Sequence, residues 1–339
     1  MNTDIGDRHP VSSSGLVPRP ETGSGMADPV LILAPPCTFS WIVCAMLGQH
    51  PQMYGLPELH LFSADTVGGW LEQCSRESYE MDHGLVRAVA ELYFGGQTDY
   101  TIARARGWLR RRSHFTTGLL LEALTDRLKP LVPVEKSPSI VYRVEFMRRA
   151  YHLFPSARFL HLVSHPGTYC ESVMAAIREM SPRQPLPPSH WLLHLALFPR
   201  LEPGSLPGNP VLDPQVGWYA LNKTIMEFLE SVPAEQKRTV RGEDLWADPS
   251  EALFQIADWL GLRTDSEALE EMKYPERSPF APYGPASAPF GSDVFLLQGP
   301  VLHPAWREPR SLDGPVGWRE DGHGFFPEVQ DLARQFGYG

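Results

Sequence analysis

The sequence contains few cysteines and no apolar stretch long enough to span a membrane. Its four cysteines, Cys37, Cys44, Cys74 and Cys170, form no CxxC pair and have no metal-ligand spacing. We therefore expect buried thiols, a reducing cytoplasm and no metal site. No apolar run approaches the roughly 20 residues that cross a bilayer, and the chain does not open with a signal-peptide pattern. Membrane partners are not expected.

Positive charge is also scarce. The 339 residues include 30 Lys and Arg against 40 Asp and Glu, which gives a net charge of -10. This balance argues against nucleic acid or an anionic membrane as the main partner. With 42% hydrophobic and 21% charged residues, the composition is instead typical of a globular protein with a large core.

Two kinds of segment divide the chain. Residues 1–27 are rich in Ser, Gly and Pro, and residues 16–19 read Leu-Val-Pro-Arg, like a protease-site remnant of an expression vector. We expect a disordered tail there and a single domain over 28–339. The 34 prolines concentrate in 181–215 and 272–315, which predicts long loops of the kind that border substrate sites.

Between these segments, predicted strands alternate with predicted helices. Short apolar runs indicate strands at Val30–Leu33, at Ala157–Pro166, where the strand runs into a loop, and at Lys237–Val240. The 3.6-residue periodicity indicates helices from Ser40, over 65–93, over 113–129, after Ser139, after Gly167 and over 249–260. In the last helix, Asp248 is a predicted cap, Glu251 completes a capping box and Gly261 ends the helix. This alternation predicts an α/β fold with a parallel sheet.

Three segments in order resemble the sulfotransferase family, especially bacterial members associated with natural-product and polyketide assembly. They are "LILAPPCTFSWIVCAMLGQHPQMYGLPELHLF", "VEKSPSIVYRVEFMRRAYHLFPSARFLHLVSHPGTYCESV" and "RTVRGEDLWADPSEALFQIADWLGL". The resemblance implies a P-loop-like α/β fold with a central parallel sheet flanked by helices. It also implies transfer of a sulfuryl group, in the family from 3′-phosphoadenosine 5′-phosphosulfate (PAPS), to a hydroxyl.

The donor loop departs from the family pattern Pro-(Arg/Lys)-Ser-Gly-Thr-Thr. Cys37 stands at the position of the cation, Phe39 at that of the glycine and Trp41 at that of a hydroxyl. A phenylalanine Cβ obstructs the close backbone approach that glycine allows, and the charge-assisted hydrogen bonds of the cation are lost. Thr38 and Ser40 complete the predicted donor-binding loop, with Ser40 keeping its matching hydroxyl.

The 3′-phosphate motif and the nucleotide surroundings also differ. The family's Arg-His-Pro is Ser164-His165-Pro166 here, with Ser172 retained, and Gly242 replaces a tyrosine. A serine hydroxyl cannot neutralise a phosphate as a guanidinium does. We therefore expect an aryl sulfate as the sulfate donor and no required cofactor. The alternative is PAPS, with Arg158, Arg178 and Arg241 as compensating cations.

The resemblance implies that Glu58, in "PELH", is the catalytic carboxylate that accepts the proton of the acceptor hydroxyl. His60 is the alternative base or a nucleophile, and Lys136 would stabilise charge on the bridging oxygen. Each of these three residues also has a purely structural interpretation. Ser137 and Ser139 are expected to be helix caps.

His165 is expected to make a structural hydrogen bond at its strand end. Cys37 is expected to be inert, with a thiolate at a helix N-terminus as the alternative.

The predicted partners are small molecules, namely a sulfate donor and a hydroxyl acceptor on a secondary metabolite such as a sugar or nucleoside. His190, Trp191 and His194 are candidates to line the acceptor pocket. "RARGWLRRR" (104–112) carries five arginines and is either a solvated helix face or a docking patch for an anionic substrate or an acidic carrier domain. A homodimer and a non-catalytic, sulfotransferase-like binding subunit are the remaining alternatives.

Overall fold

A computed structural model describes residues 28–38, 40–76, 81–180, 213–292, 311–319 and 321–339, except for the side chains of 176–180. Its centre is a five-stranded sheet in the order β2-β3-β1-β4-β5, and every pairing is parallel. The strands are β1 Val30–Leu33, β2 Met53–Gly55, β3 Val132–Glu135, β4 Arg158–Val163 and β5 Lys237–Arg241. The predicted parallel sheet is confirmed, whereas β2 and β3 are strands that the sequence patterns did not indicate.

The helices cover both faces of this sheet. They are α1 Ser40–Leu47, α2 Val67–Arg76, α3 Asp82–Phe94, α4 Asp99–Arg110, α5 Thr117–Asp126, α6 Val144–Leu153, α7 Pro166–Met180, α8 Pro214–Glu230, α9 Gly242–Ala247, α10 Pro249–Leu260, α11 Ser266–Glu271 and α12 Pro327–Gln335. Among these, no helix has the length and apolar character that a membrane crossing requires.

The helix predicted after Ser139 is wrong in its first half. A 3-10 helix at Pro138–Tyr142 comes first, and α6 starts only at Val144. Arg143 separates the two, because its backbone is extended, with φ -141° and ψ 137°. By contrast, α10 begins as expected. The Asp248 side chain accepts from the Glu251 amide at 3.1 Å, although the Glu251 carboxylate bonds Gln255 rather than closing a capping box.

Alternate residues of β1 build two cores on the two sides of the sheet. Leu31 and Leu33 pack with α2 to α6 and α8, while Val30 and Ile32 pack with α1 and α10. This split follows from the two-residue period of a strand. A third core joins α12 and the residues around it to α7 and α8.

Because all five strands are parallel, their carboxyl ends lie along one edge of the sheet, where ligands bind in open α/β folds. The loop after β1 carries residues 34–38, that after β2 carries 56–60, that after β3 carries 136–139 and that after β4 begins at Ser164. Neighbouring strands bring neighbouring loops together. Residues 58 and 136 therefore meet, since β2 pairs with β3.

Candidate active site

Glu58 and Lys136 form an ion pair at the carboxyl ends of β2 and β3. Lys136 Nζ donates to Glu58 Oε1 at 2.7 Å. The Lys136 side chain is 4% exposed and that of Glu58 is 17% exposed, so the pair is poorly screened by water. Burial alone raises the pKa of Glu58, but Lys136 and His60 outweigh it and lower that pKa to about 2. Glu58 is therefore ionised at neutral pH.

The backbone of Glu58 lies between Gly84 of α3 and Gly291. The Glu58 amide donates to the Gly291 carbonyl at 2.9 Å. On the other side, a Cβ added to Gly84 would lie 2.0 Å from the Glu58 carbonyl oxygen. Only glycine permits this approach. The carboxylate thus projects from a segment whose position is set by two glycines that are distant in sequence.

His60 lies beside the ion pair in an unusual backbone conformation. Its Nε2 is 3.6 Å from Glu58 Oε2, and its Nδ1 is 2.9 Å from the Ser139 hydroxyl. The φ of His60 is 53°, in the left-handed region that non-glycine residues rarely adopt and that is often found at functional sites. The structure therefore brings together all three predicted catalytic residues: Glu58, His60 and Lys136.

The prediction that Ser137 and Ser139 are helix caps is wrong. The Ser137 hydroxyl makes no capping bond to the 3-10 helix that follows it. It accepts instead from the His60 amide at 2.9 Å and donates to Glu135. Both serine hydroxyls contact His60, in the loop after β2. The α-helix begins only after Arg143, so neither serine lies at its first turn. Glu135, a buried carboxyl group at this site, was missed by sequence reasoning; only its position directly before Lys136 could have drawn attention to it.

The predicted donor loop after β1 contributes few groups that could hold an anion. Thr38 is buried and its hydroxyl donates to the Pro35 carbonyl at 2.6 Å. Cys37 is half-buried with φ 62°, and Phe39 lies outside the described residues. Ser40, at the first position of α1, has a buried hydroxyl without a hydrogen-bond partner in the described part of the chain. Trp41 is buried in the core beneath the sheet.

The second predicted donor motif, after β4, is covered by the C-terminal region. Ser164 is buried and 2% exposed. His165 packs edge-on against Phe325 and Tyr338, with ring centroids 6.2 and 5.3 Å away. Burial lowers the pKa of His165 to about 4, so its ring is neutral at pH 7. As predicted, His165 makes a structural bond at its strand end, since its Nδ1 accepts from the Gly167 amide at 3.0 Å.

A buried carboxyl group stands beside this motif. Glu243 accepts from the His165 amide at 2.7 Å and from the Tyr338 hydroxyl at 2.5 Å. Burial raises the pKa of Glu243, although these hydrogen bonds oppose the shift. Ser172 lies half-buried in the second turn of α7. A phosphate placed at Ser164 would meet the Glu243 carboxyl group and the aromatic rings around His165.

The arginines considered as compensating cations are engaged elsewhere. Arg158 begins β4, at the opposite end of the strand from Ser164, and donates to the Trp259 carbonyl at 2.5 Å. Arg241 binds both oxygens of Asp244, at 3.0 and 2.7 Å, and stacks on Tyr338. The side chain of Arg178 lies outside the described residues, as do His190, Trp191 and His194.

The size of a cavity does not locate this site. The larger cavity, of about 950 Å³, runs along the edge strand β5; of the residues considered from the sequence, Arg241 lines it, but Glu58, His60 and Lys136 do not. A cavity of about 20 Å³, the room of one water molecule, has Glu58, Lys136, Trp41 and Phe280 among its lining residues. No group of three metal-ligating side chains occurs among the described residues.

The five arginines of 104–112 divide into two groups. Arg106 binds Asp82 at 2.8 Å, Arg104 stacks on Phe94 and Arg112 stacks on Trp108, with 3.7 Å to the ring centroid. Arg110 and Arg111 are exposed at the end of α4 and just beyond it. Part of this run is thus structural, while Arg104, Arg110 and Arg111 are exposed.

Comparison with known proteins agrees with this architecture. A family model described as "Sulfotransferase family" matches residues 29–191. A solved sulfotransferase domain from the curacin biosynthetic pathway is 21% identical, with a TM-score of 0.68 over 93% of this chain and 99% of that chain. A sulfotransferase domain from the olefin synthase of Synechococcus PCC 7002 is 23% identical, with a TM-score of 0.64 over 94% of this chain and 97% of that chain.

No curated protein is significantly similar in sequence. The two solved domains are distant in sequence and therefore bear on the fold, whereas the family match bears on the sequence itself. It spans the donor loop, the Glu58 segment, Lys136 and the strand–loop–helix at Ser164. Residues 29–191 thus match the sulfotransferase family in sequence, and this match together with the fold supports sulfotransferase activity.

Proposed function

We propose that this sulfotransferase moves a sulfuryl group from an aryl sulfate ester to a hydroxyl of a small secondary metabolite, with a sugar or nucleoside as candidate acceptor. The observation that carries the proposal is the ion pair of Glu58 with Lys136 beside His60, at the carboxyl edge of the sheet. It places a carboxylate base and a buried cation within one hydrogen bond of each other.

In the proposed transfer, the acceptor oxygen forms a bond to sulfur as the bond from sulfur to the aryl oxygen breaks. The hydroxyl proton goes to Glu58, and the aryl oxygen leaves as a phenolate. The positive charge of Lys136 stabilises the negative charge that develops on the bridging oxygen as its bond to sulfur breaks. Charge in such a loose transition state is spread over the transferred group, so one buried ammonium group acts on a large part of it.

The low pKa of Glu58 gives Lys136 a second role. A carboxylate whose pKa is about 2 is a weak base, because catalytic bases work best with a pKa near the working pH. When a sulfate donor draws Lys136 toward its bridging oxygen, the main group that lowers the Glu58 pKa is removed while burial remains. Glu58 then becomes a stronger base at the moment when the donor is bound.

His60 in this scheme holds the second oxygen of Glu58. We assign the Ser139 hydroxyl as donor to His60 Nδ1, because this tautomer leaves a proton on Nε2, which faces Glu58 Oε2 at 3.6 Å. The histidine thereby acts as an orienting group for the base. Removing its ring should lower kcat more than it changes KM for the donor.

The choice of donor rests on what surrounds the two donor motifs. A doubly charged 3′-phosphate is bound most strongly by cations, yet the His165 ring is neutral and the Glu243 carboxyl group is adjacent. Within the described residues, the unpartnered groups at this motif, the Ser164 hydroxyl and His165 Nε2, are neutral donors. An aryl sulfate makes a smaller demand, because a phenolate is already a fair leaving group. Trp41 and Phe280 line the same small cavity as Glu58 and Lys136, so aromatic side chains lie beside the ion pair.

Separate incubations with p-nitrophenyl sulfate and with PAPS, each with a panel of hydroxyl acceptors, test the donor. We expect release of p-nitrophenolate and a sulfated acceptor with the aryl ester, and loss of both products in Glu58→Gln. Turnover with PAPS alone, accompanied by micromolar binding of adenosine 3′,5′-bisphosphate in calorimetry, would overturn the aryl sulfate proposal. Absence of turnover with either donor would favour the non-catalytic alternative.

An acidic carrier domain that presents the acceptor is part of the same proposal. Arg110 and Arg111 are exposed neighbours in a chain whose net charge is -10. They form a small positively charged patch. Steering of an acidic partner toward such a patch increases the rate of encounter and weakens with salt.

A further inference from the structure

Glu135 is the buried carboxyl group at the site for which the transfer chemistry has no role. It is the last residue of β3 and is 2% exposed. Glu135 Oε1 accepts from the Leu59 amide at 3.3 Å and from the Ser137 hydroxyl. Glu135 Oε2 is buried and has no hydrogen-bond partner in the described residues. A buried carboxyl oxygen without a hydrogen bond lowers the stability of the fold, so a functional reason for keeping Glu135 is sought in its other contacts.

The hydrogen bonds around Glu135 have a definite direction. The Ser137 hydroxyl has one proton, and that proton is donated to Glu135. Its oxygen is then presented as an acceptor to the His60 amide, at 2.9 Å. Glu135 thus acts on two consecutive backbone amides of the loop after β2: directly on Leu59 and through Ser137 on His60.

These two amides belong to the segment that carries the catalytic candidates. Leu59 and His60 follow Glu58 directly, and His60 is held at φ 53° and ψ 20°. A strained, left-handed histidine persists only where its surroundings impose that conformation. Bonds to the His60 amide, to its ring nitrogen from Ser139 and to its carbonyl from Ser63 supply this restraint. Glu135 sets the first of the three.

We infer that Glu135 is a positioning residue, which holds Glu58 and His60 in register with Lys136 by accepting from Leu59 and orienting Ser137. The inference rests on the proposed function, since it assigns Glu58 and His60 to the transfer. The role requires an acceptor oxygen at Oε1 and does not require negative charge. Burial raises the pKa of Glu135.

Two substitutions at one position separate these requirements. Glu135→Gln keeps an acceptor oxygen in nearly the same shape, whereas Glu135→Met fills the volume and removes the acceptor. We expect kcat of Glu135→Gln within about threefold of wild type and kcat of Glu135→Met reduced about a hundredfold, the loss typical of a displacement of 1 Å in a catalytic group. The donor KM should change little in either variant.

Ser137→Ala interrupts the same connection without changing the carboxyl group. It should reproduce much of the kcat loss of Glu135→Met. If thermal denaturation shows that Glu135→Met does not fold, a wild-type kcat in Ser137→Ala would overturn the inference instead. A folded Glu135→Met variant with wild-type kcat would overturn the inference. Equal losses in the Gln and Met variants would also overturn it, because the carboxyl group itself would then take part in the chemistry.

A spectroscopic measurement makes this inference independent of the donor. Imidazole ¹⁵N–¹H correlation spectra of His60 should change in Glu135→Met and in Ser137→Ala but not in Glu135→Gln. Unchanged His60 signals in all three variants would refute the positioning role. Because these spectra need no turnover, a failure of the aryl sulfate assay would not be mistaken for a failure of this inference.

Discussion

The ion pair of Glu58 and Lys136 predicts a specific dependence of stability on pH, which Glu58→Gln should abolish. The pKa of Glu58 falls from 4.5 to about 2 on folding. At about 1.4 kcal/mol for each pH unit, this fall corresponds to about 3 kcal/mol of folding free energy. Both side chains are largely buried, at 4% and 17% exposure, so little of this energy is lost to solvent screening.

The sign follows from the lowered pKa. The unfolded state binds a proton at Glu58 more readily than the folded state does, so the contribution is complete above about pH 5 and is lost as the pH falls toward 2. Linkage places about 2 kcal/mol of the loss above pH 3. At neutral pH, Glu58→Gln leaves the Lys136 ammonium buried and unpaired, which typically costs about 3–5 kcal/mol.

Urea unfolding of both proteins between pH 7 and pH 3 measures the effect, since carboxyl groups common to the two cancel in the difference. The difference in free energy of unfolding should shrink by about 2 kcal/mol toward pH 3. Glu72→Gln is the control, because Glu72 pairs with Arg76 on the surface, where such pairs contribute at most about 1 kcal/mol. A difference between wild type and Glu58→Gln that stays constant with pH would refute the buried pair.

Two further predictions concern the surroundings of the site. Gly84→Ala should lower kcat by at least about tenfold, because its Cβ would meet the Glu58 carbonyl at 2.0 Å; a wild-type kcat would contradict this. Gly107→Ala in α4 is the matched control, since its Cβ meets only the tip of Arg111 and Ala favours helices by up to about 1 kcal/mol. Reversing charge at Arg110 and Arg111 should raise KM for a carrier-attached acceptor by about tenfold at low salt, with KM for the free acceptor unchanged. Equal effects on both acceptors, or the same effect from Arg148→Glu on α6, would contradict docking at this patch.

The strands and helices that were predicted correctly have strong local signals. Val30–Leu33 is a short apolar run with prolines after it, and α10 has a side-chain cap at Asp248 and a left-handed Gly261. The strands that were missed have weak signals. β2 has three residues and ends in Gly55, and β3 contains Pro133. Each exists because a neighbouring strand supplies its hydrogen bonds, which no local pattern records.

The candidate site shows the same division between local and long-range information. Glu58, His60 and Lys136 could be named from the sequence because the motifs around them resemble those of a family. Their distances could not be predicted, since they depend on β2 pairing with β3 across about 80 positions of the chain. The roles of Ser137 and Ser139 were predicted wrongly for the same reason: the partner of each hydroxyl, His60, is remote in sequence.

The sequence by itself determined the family, the α/β class and the loss of charge from both donor motifs, because each depends on residue identity in short segments. Only the tertiary structure decided which polar groups meet. It pairs Lys136 with Glu58 and connects Glu135 to His60. It also covers the Ser164 motif with Phe325 and Tyr338, about 160 residues further along the chain. These contacts arise from parallel strand order and from burial of the C-terminal core, both of which act between residues that are distant in sequence.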